Sequence, residues 1–485
     1  MSKTSIVYKD IAVGADEDAA VTATGAAAFA QPAELPFGVE PAPVASLELN
    51  EWGLDGSGEF IEDQSVAFWS DAISGEDCVF AVPPTIEISF DNQYSLLGLY
   101  LSFDAANYDF CTDLNIKYYQ GSTLKADYDF APDAPTYFCE GKAESFNKIV
   151  ITLRKTNLPQ RRAKLTKVLF GIVREFGMAD IRSAKITSET DLISAQLPIS
   201  RLTWTLDSRK SVDFMFQLKQ PIEVQSGANL LGVFYVSSAK RTSSSVYNIT
   251  CEDAFGILAD TPYAGGNYIG GISAKTLFGG IIGDTFDIIY DNVEDATLYG
   301  LILPSNKREA LQQVLFAWGV CVSTFGVRGI RVFAPSAEMK VVDKDRAYVG
   351  AAVETKPVVT RVEVTAHTYA QSSSGTVTIG TTKYSDTKTV YTVSNPNVTA
   401  ADKENVITVD GGTLVSTQNG QAVAQRVYDY YMRRNTATGK IVLAGEKPGD
   451  LVSLPSTWST AEGNISKLDI NLSNTVAASV TAIAD

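Results

Sequence analysis

Apolar residues recur at every second position in one run after another along this chain. That period fits half-buried β-strands and excludes an α-helical architecture. Ile86, Ile88 and Phe90 share a face, as do Leu97, Leu99, Leu101 and Phe103, then Leu114, Ile116 and Tyr118, then Ile149, Ile151 and Leu153, and finally Val168, Phe170 and Ile172. Turn-forming Asp, Asn, Gly and Pro separate these runs, so the stretch from Phe37 to Phe176 is expected to fold as an antiparallel β-sandwich. The alternation resumes in Leu202, Trp204 and Leu206, and in Val212, Phe214, Phe216 and Leu218 set against Asp213, Gln217 and Lys219. It returns late in the chain with Val362, Val364 and Ala366 and with Leu468, Ile470 and Leu472.

Helical spacing stands out in two places. Ala310, Leu311, Val314, Leu315 and Trp318 share a face, with Ser305 or Asn306 available as N-cap and Gly319 as the stop. Val423, Val427, Tyr430 and Tyr431 do the same between Gln421 and Arg434, and a short helix is expected where the stretch from Gly232 to Asp260 ends. The fold class that follows is mainly β and multidomain. At 485 residues the chain exceeds one ordinary domain, and roughly 150 residues per domain gives about three. Hydrophobic residues at 45% and charged residues at 20% place it among chains that bury a core rather than remain disordered.

The formal net charge of -16 disfavours binding to nucleic acid or anionic lipid, because the whole surface repels phosphate. The longest basic run, Arg154, Lys155, Arg161, Arg162, Lys164 and Lys167, is expected to be a solvated loop and strand face, with a partner surface as the alternative. The five cysteines, Cys78, Cys111, Cys139, Cys251 and Cys321, lack the paired spacing of a zinc or redox motif and are expected to be buried free thiols. Acidic residues precede the Ala-rich run near the N-terminus, the wrong order for a signal peptide, and no apolar stretch approaches membrane-spanning length.

Catalytic patterns are missing. His367, the sole histidine, lies on the polar side of an expected strand beside Glu363 and Thr365, and no nucleophile elbow presents a serine to it. It is expected to be exposed and without a role. The carboxylate pairs Asp284 and Asp287, Asp291 and Glu294, and Glu252 and Asp253 sit where turns and caps favour acids anyway. Gly265, Gly266, Gly270 and Gly271 form no phosphate cradle, and Asp343 and Asp345 no calcium loop. The protein is therefore expected not to be an enzyme, with no catalytic, cofactor-binding or metal residue and no cofactor. Trp52 and Trp69 are the aromatics that a glycan site would use, with packing as the plainer role.

Two resemblances extend this reading. The segment KIVITLRKTNLPQRRAKLTKVLFGI, two apolar strands joined by a T-x-x-P-x-R loop, resembles the galactose-binding-like jelly roll, whose members include sugar binders. From Ile199 to Asp485 the ordered set PIEVQSGANLLGVFYVSS, SVYNITCEDAFGILAD, KREALQQVLFAWGVCVSTF, AQRVYDYYMRR, GEKPGDLVSLP and GNISKLDINLS resembles the tail hub, or baseplate hub, of long-tailed bacteriophages. That resemblance implies a homotrimer in which two β-domains of each subunit alternate around a ring. The ring continues the tail tube, contacts the tape-measure protein and carries tail fibre or spike proteins while DNA passes through its lumen. It implies a virion protein of the tail tip, made soluble in the host bacterial cytoplasm, with no membrane span. The expected organisation is an N-terminal arm or linker over residues 1–36 and the β-sandwich over 37–176. A first hub β-domain follows over 177–262, an α+β domain over 263–340, and a second hub β-domain with one helix over 341–485. The alternative is a carbohydrate-binding, adhesin-like tail protein that acts on a host glycan through the sandwich. A tail-associated glycan hydrolase ranks third.

Overall fold

Hydrogen-bonded strands dominate the computed structural model, which describes residues 4–12, 14–40, 48, 66–207, 216–227, 229–399, 403–455, 460–472 and 476–484. The chain divides into two compact units, and the fold is mainly β.

One unit comprises Tyr8–Arg174 and Asp213–Gln220. It is built on two long antiparallel strands, Thr85–Phe103 and Thr136–Thr156, paired along nearly their whole length. Bulges between Ser89 and Gly98 bend the pair, so each end takes its own partners. At one end Thr85–Ser89 also pairs with the Ala20–Thr24 strand, while Cys111–Gln120 and then Thr123–Phe130 add beyond the second long strand. At the other end Leu99–Phe103 pairs with the Arg162–Gly177 strand, which in turn receives Phe68–Ile73. Gly98 lies in this bend at φ +155°, and a Cβ there would stand 2.2 Å from the Cys139 carbonyl oxygen, so no side chain fits.

Ile86, Ile88, Leu101, Leu114, Ile116, Ile149, Ile151 and Leu153 fill the interior of this unit, as the alternation predicts. The bulges shift one run by a residue: Leu96 is buried and Leu97 is only half-buried, after which Leu99, Leu101 and Phe103 resume the expected face. Within the N-terminal segment, expected as an arm, Thr4–Ile11 and Ala20–Thr24 form strands. Val21 and Ala23 make a weak apolar pattern, and the Ala20–Thr24 strand forms because Thr85–Ser89 supplies a ladder. Leu35 is fully buried, and the half-buried Asp18 carboxylate accepts the Asp91 and Asn92 amides and the Tyr94 hydroxyl. The strand expected over Val212–Leu218 is absent where it is described. Phe216–Gln220 is a turn with Phe216 and Lys219 at positive φ, held by the Tyr8 hydroxyl, which accepts from Phe216 N and donates to Gln220 Oε1; residues 208–215 lie outside the described residues.

The other unit comprises Met1–Val7, Glu175–Val212 and Pro221–Asp485. Two β-bodies form its sheet. The first orders Ile181–Glu189, Arg201–Asp207, Val246–Glu252, Asn229–Arg241 and Pro221–Ser226, each antiparallel to the next. The second orders Ala347–Thr355, Asn435–Val442, Ala477–Ala484, Thr460–Asn471 and Leu451–Pro455, with Met339–Val341 parallel to the last.

Between these bodies in sequence stand the helices Ala254–Ala259, Ala274–Ile282 and Lys307–Trp318, together with short sheets that share their core. The stretch read as one final β-domain contains a separate four-stranded sheet of Arg361–Gln371, Val377–Ile379, Thr382–Ser394 and Val406–Val409, on which helix Gly420–Met432 packs. Helix Lys307–Trp318 starts at Asn306, whose side chain accepts the Glu309 amide, and stops at Gly319 in the left-handed conformation. No helix among the described residues is long and apolar enough to cross a membrane.

Candidate interaction sites

In the unit built on Tyr8–Arg174 three loops are bonded to one another. The Ser74 and Thr156 hydroxyls meet at 2.8 Å, Thr156 N donates to the Cys78 carbonyl, and Gln160 N donates to the Gly75 carbonyl. Asn157 exchanges hydrogen bonds with Phe110 and donates to the Tyr108 carbonyl. Cys78, Tyr108 and Gln160, one in each loop, hold positive φ without being glycine, a cost that persists only where neighbours dictate the backbone. The loops leave Val79, Val82, Tyr108 and Leu158 in solvent, with Tyr108 60% exposed.

In the same unit, part of the basic run expected to be solvated is buried. Lys164 is 1% exposed and Arg161 7%. Lys164 Nζ lies 3.0 Å from Glu48 Oε2, 3.1 Å from Asp109 Oδ2 and 3.9 Å from Asp104 Oδ2, and Arg161 Nε lies 3.4 Å from Asp109 Oδ1. Arg154 by contrast meets Asp113 and Asp129 at the surface. Trp69 belongs to this cluster: its ring centroid is 4.8 Å from Lys164 Nζ, its edge meets Phe29, and it is buried with Ala27 and Val66. It sits as a packing residue rather than as an exposed platform. Trp52 lies outside the described residues.

His367 is buried rather than exposed. Its Nδ1 lies 2.9 Å from Asp386 Oδ2, its Nε2 lies 3.0 Å from the Asp410 carbonyl oxygen, and its ring stacks on Tyr369. The loop that carries Asp410 covers a strand face which alternation assigns to solvent. Among the described residues no serine or cysteine is bonded to the imidazole, so nucleophile, base and acid are not brought together there. Burial pushes the thiols of Cys139, Cys251 and Cys321 up to about 12, which leaves them inert near neutrality.

Three members of the acidic pairs serve as a cap or as ion-pair partners. Glu252 meets Arg201 at 3.1 Å, and Asp291 stands 3.8 Å from Arg331. Asp253 is buried, caps helix Ala254–Ala259 through Phe255 N, and accepts the Thr324 hydroxyl at 2.9 Å; burial pushes its carboxyl up to about 6. A cavity of about 440 Å³ is lined by Leu230, Leu231, Phe325, Leu443, Glu446 and Val476 among others. Its carboxylate is already engaged. Burial works to raise the Glu446 pKa, but the Ala444 amide and the Arg346 guanidinium, both at 2.7 Å, outweigh it and hold the group below its ordinary value.

No protein-family model matches this chain, and no curated protein matches it. Solved structures do. It is similar to the tail protein from Neisseria meningitidis MC58, at 12% identity and a TM-score of 0.46, over 64% of this chain and 94% of that one. It is similar to the 43 kDa tail protein of prophage MuSo2 from Shewanella oneidensis, at 11% identity and 0.45, over 64% and 95%. It is also similar to the prophage tail protein gp18 from Listeria monocytogenes EGD-e, at 12% and 0.41, over 63% and 91%. Phage tail and baseplate proteins are among the solved structures similar to this chain.

The residues that sequence reasoning missed are those of the buried ionic cluster. One local signal marks them: Lys164 shares the parity of Val168 and Phe170 on its strand, the apolar side. Glu48, Asp104 and Asp109 carry no such mark, since they come from loops and reach Lys164 only through the tertiary fold.

Proposed function

We propose that this protein is a structural component of a phage tail tip, a subunit of an oligomeric hub ring that joins the tail tube to the distal host-recognition apparatus and lets DNA pass. The observation that carries the reading is a seam between the two β-bodies. Lys185–Glu189 of the first pairs antiparallel with Lys467–Asn471 of the second, across nearly the whole length of the unit's sequence. Side chains reinforce it: Lys467 meets Glu189 at 2.6 Å, Lys185 meets Asp469 at 2.8 Å, and the Thr187 hydroxyl donates to Asp469 at 2.7 Å. A subunit that holds two β-bodies in one hydrogen-bonded sheet brings two places to a ring, and three copies bring six. This supports a homotrimer in contact with the tail tube, the tape-measure protein, and fibre or spike proteins. The net charge of -16 suits a channel through which phosphate must slide without sticking. Native mass of the purified chain and labelling of intact particles test the reading. A trimer and a label at the tail tip are expected; a strict monomer absent from particles overturns it.

A second reading, an adhesin-like protein acting through the sandwich, is favoured by Tyr108, an exposed ring on a strained loop that can cover the apolar face of a sugar. A glycan array on the full chain, with Tyr108→Ala as control, tests it; flat binding rejects it.

A further inference from the structure

We propose that Lys164 and Asp109 condense within the folded protein to an amide between Lys164 Nζ and Asp109 Cγ, with Glu48 as the proton carrier. The inference stands on the sandwich unit alone and does not depend on the tail-tip reading.

Lysine, aspartate and glutamate are almost never fully buried, and an ion pair out of water gains little against the cost of desolvating both partners. Here the Lys164 side chain is 0% exposed, Glu48 1% and Asp109 3%. An amide removes one cation and one anion from that interior. The fold also supplies what amide formation needs. Amine and carboxyl are held in contact, which replaces a bimolecular encounter by a fixed geometry. Little water reaches the site to oppose condensation.

The two oxygens of Asp109 face different partners: Oδ2 lies 3.1 Å from Lys164 Nζ, while Oδ1, which accepts no hydrogen bond, lies 3.4 Å from Arg161 Nε. Arg161 thus stands where negative charge develops when the carboxyl carbon is attacked. Glu48 is anchored by the Arg162 amide at Oε1 and presents Oε2 to Lys164 at 3.0 Å, within reach of its proton. Trp69 lies against the ammonium at 4.8 Å.

The steps balance. Lys164 passes a proton to Glu48, and the free amine attacks Asp109 Cγ. The C–N bond forms, and charge moves to Oδ1 beside Arg161. Glu48 returns its proton to Oδ2, the nitrogen yields a second proton to the same oxygen, the C–Oδ2 bond breaks and water leaves. One ammonium and one carboxylate become one neutral amide and one water, without oxidant or activating group. The link ties the Arg162–Gly177 strand to the loop ahead of Cys111–Gln120 and braces the sandwich against unravelling.

Intact-mass measurement of the denatured full chain tests this directly. The wild type is expected to be lighter than its sequence by one water, and tandem mass spectrometry of a digest is expected to find one branched peptide joining Asp109 to Lys164. Glu48→Gln, nearly the same size, is expected to keep the strand content by circular dichroism and show full mass, as is Lys164→Arg. A wild type of full mass with no branched peptide overturns the proposal. So does a water loss that persists in Lys164→Arg, or a branch to Glu48 instead of Asp109.

Discussion

Replacing Asp253 with asparagine is expected to stabilise the protein near neutral pH and to do progressively less as the pH falls. The side chain is fully buried at the start of helix Ala254–Ala259. Burial raises its carboxyl from 3.8 to about 6, against the pull of hydrogen bonds from Thr324, Ser200 and Phe255. Between those two values the folded state holds a proton that the unfolded chain has released. The associated stability is therefore complete below pH 3.8 and is lost as the pH rises through about 6. At about 1.4 kcal/mol per pH unit the whole window is worth about 3 kcal/mol. Asparagine keeps an oxygen for the Phe255 amide and never carries charge. It also gives up the stronger bonds that a carboxylate draws from hydroxyl groups, leaving a net gain of about 1–2 kcal/mol. Hydrogen exchange of residues 254–259 in the full chain, variant against wild type, reads this as roughly tenfold greater protection near neutrality, where about 1.4 kcal/mol corresponds to a factor of ten. The difference should shrink toward nothing by about pH 4. A variant less protected than wild type near neutrality, or a difference that ignores pH, refutes the reasoning.

Asn306→Ala removes the oxygen that receives the Glu309 amide at 2.9 Å and is expected to cost about 1 kcal/mol, seen as faster exchange in the first turn of Lys307–Trp318. Ile151→Ala empties a fully buried position in the core of the Tyr8–Arg174 unit and is expected to cost about 2–5 kcal/mol in urea denaturation of that unit. His367→Leu leaves Asp386 and the Asp410 carbonyl without the imidazole and is expected to cost about 1–3 kcal/mol, read by the thermal midpoint. A smaller loss would mean that solvent replaces the ring.

The strands were legible because alternation is a property of the extended backbone itself, in which successive side chains point to opposite faces. Ile86 and Ile88, Leu114 and Ile116, Ile149 and Ile151, and Leu468 and Ile470 are all buried where period two puts them. The two helices with a continuous apolar stripe were legible for the same local reason, and their observed bounds, Lys307–Trp318 and Gly420–Met432, lie close to those read from spacing. The N-terminal strand could not be read, since Val21 and Ala23 are stabilised by a ladder contributed from residues 85–89. Nor could the burial of His367, which depends on a loop more than forty positions away in sequence. The ionic cluster joins Glu48, Asp104, Asp109, Arg161 and Lys164. Its meaning lies in distances of a few ångströms between atoms that the sequence sets far apart. Local periodicity by itself determined that this chain is a mainly β, multidomain protein lacking the common catalytic motifs. Only the tertiary structure decided which charges leave water and which strands far apart in sequence meet, because those contacts are fixed by long-range pairing and not by neighbours in sequence.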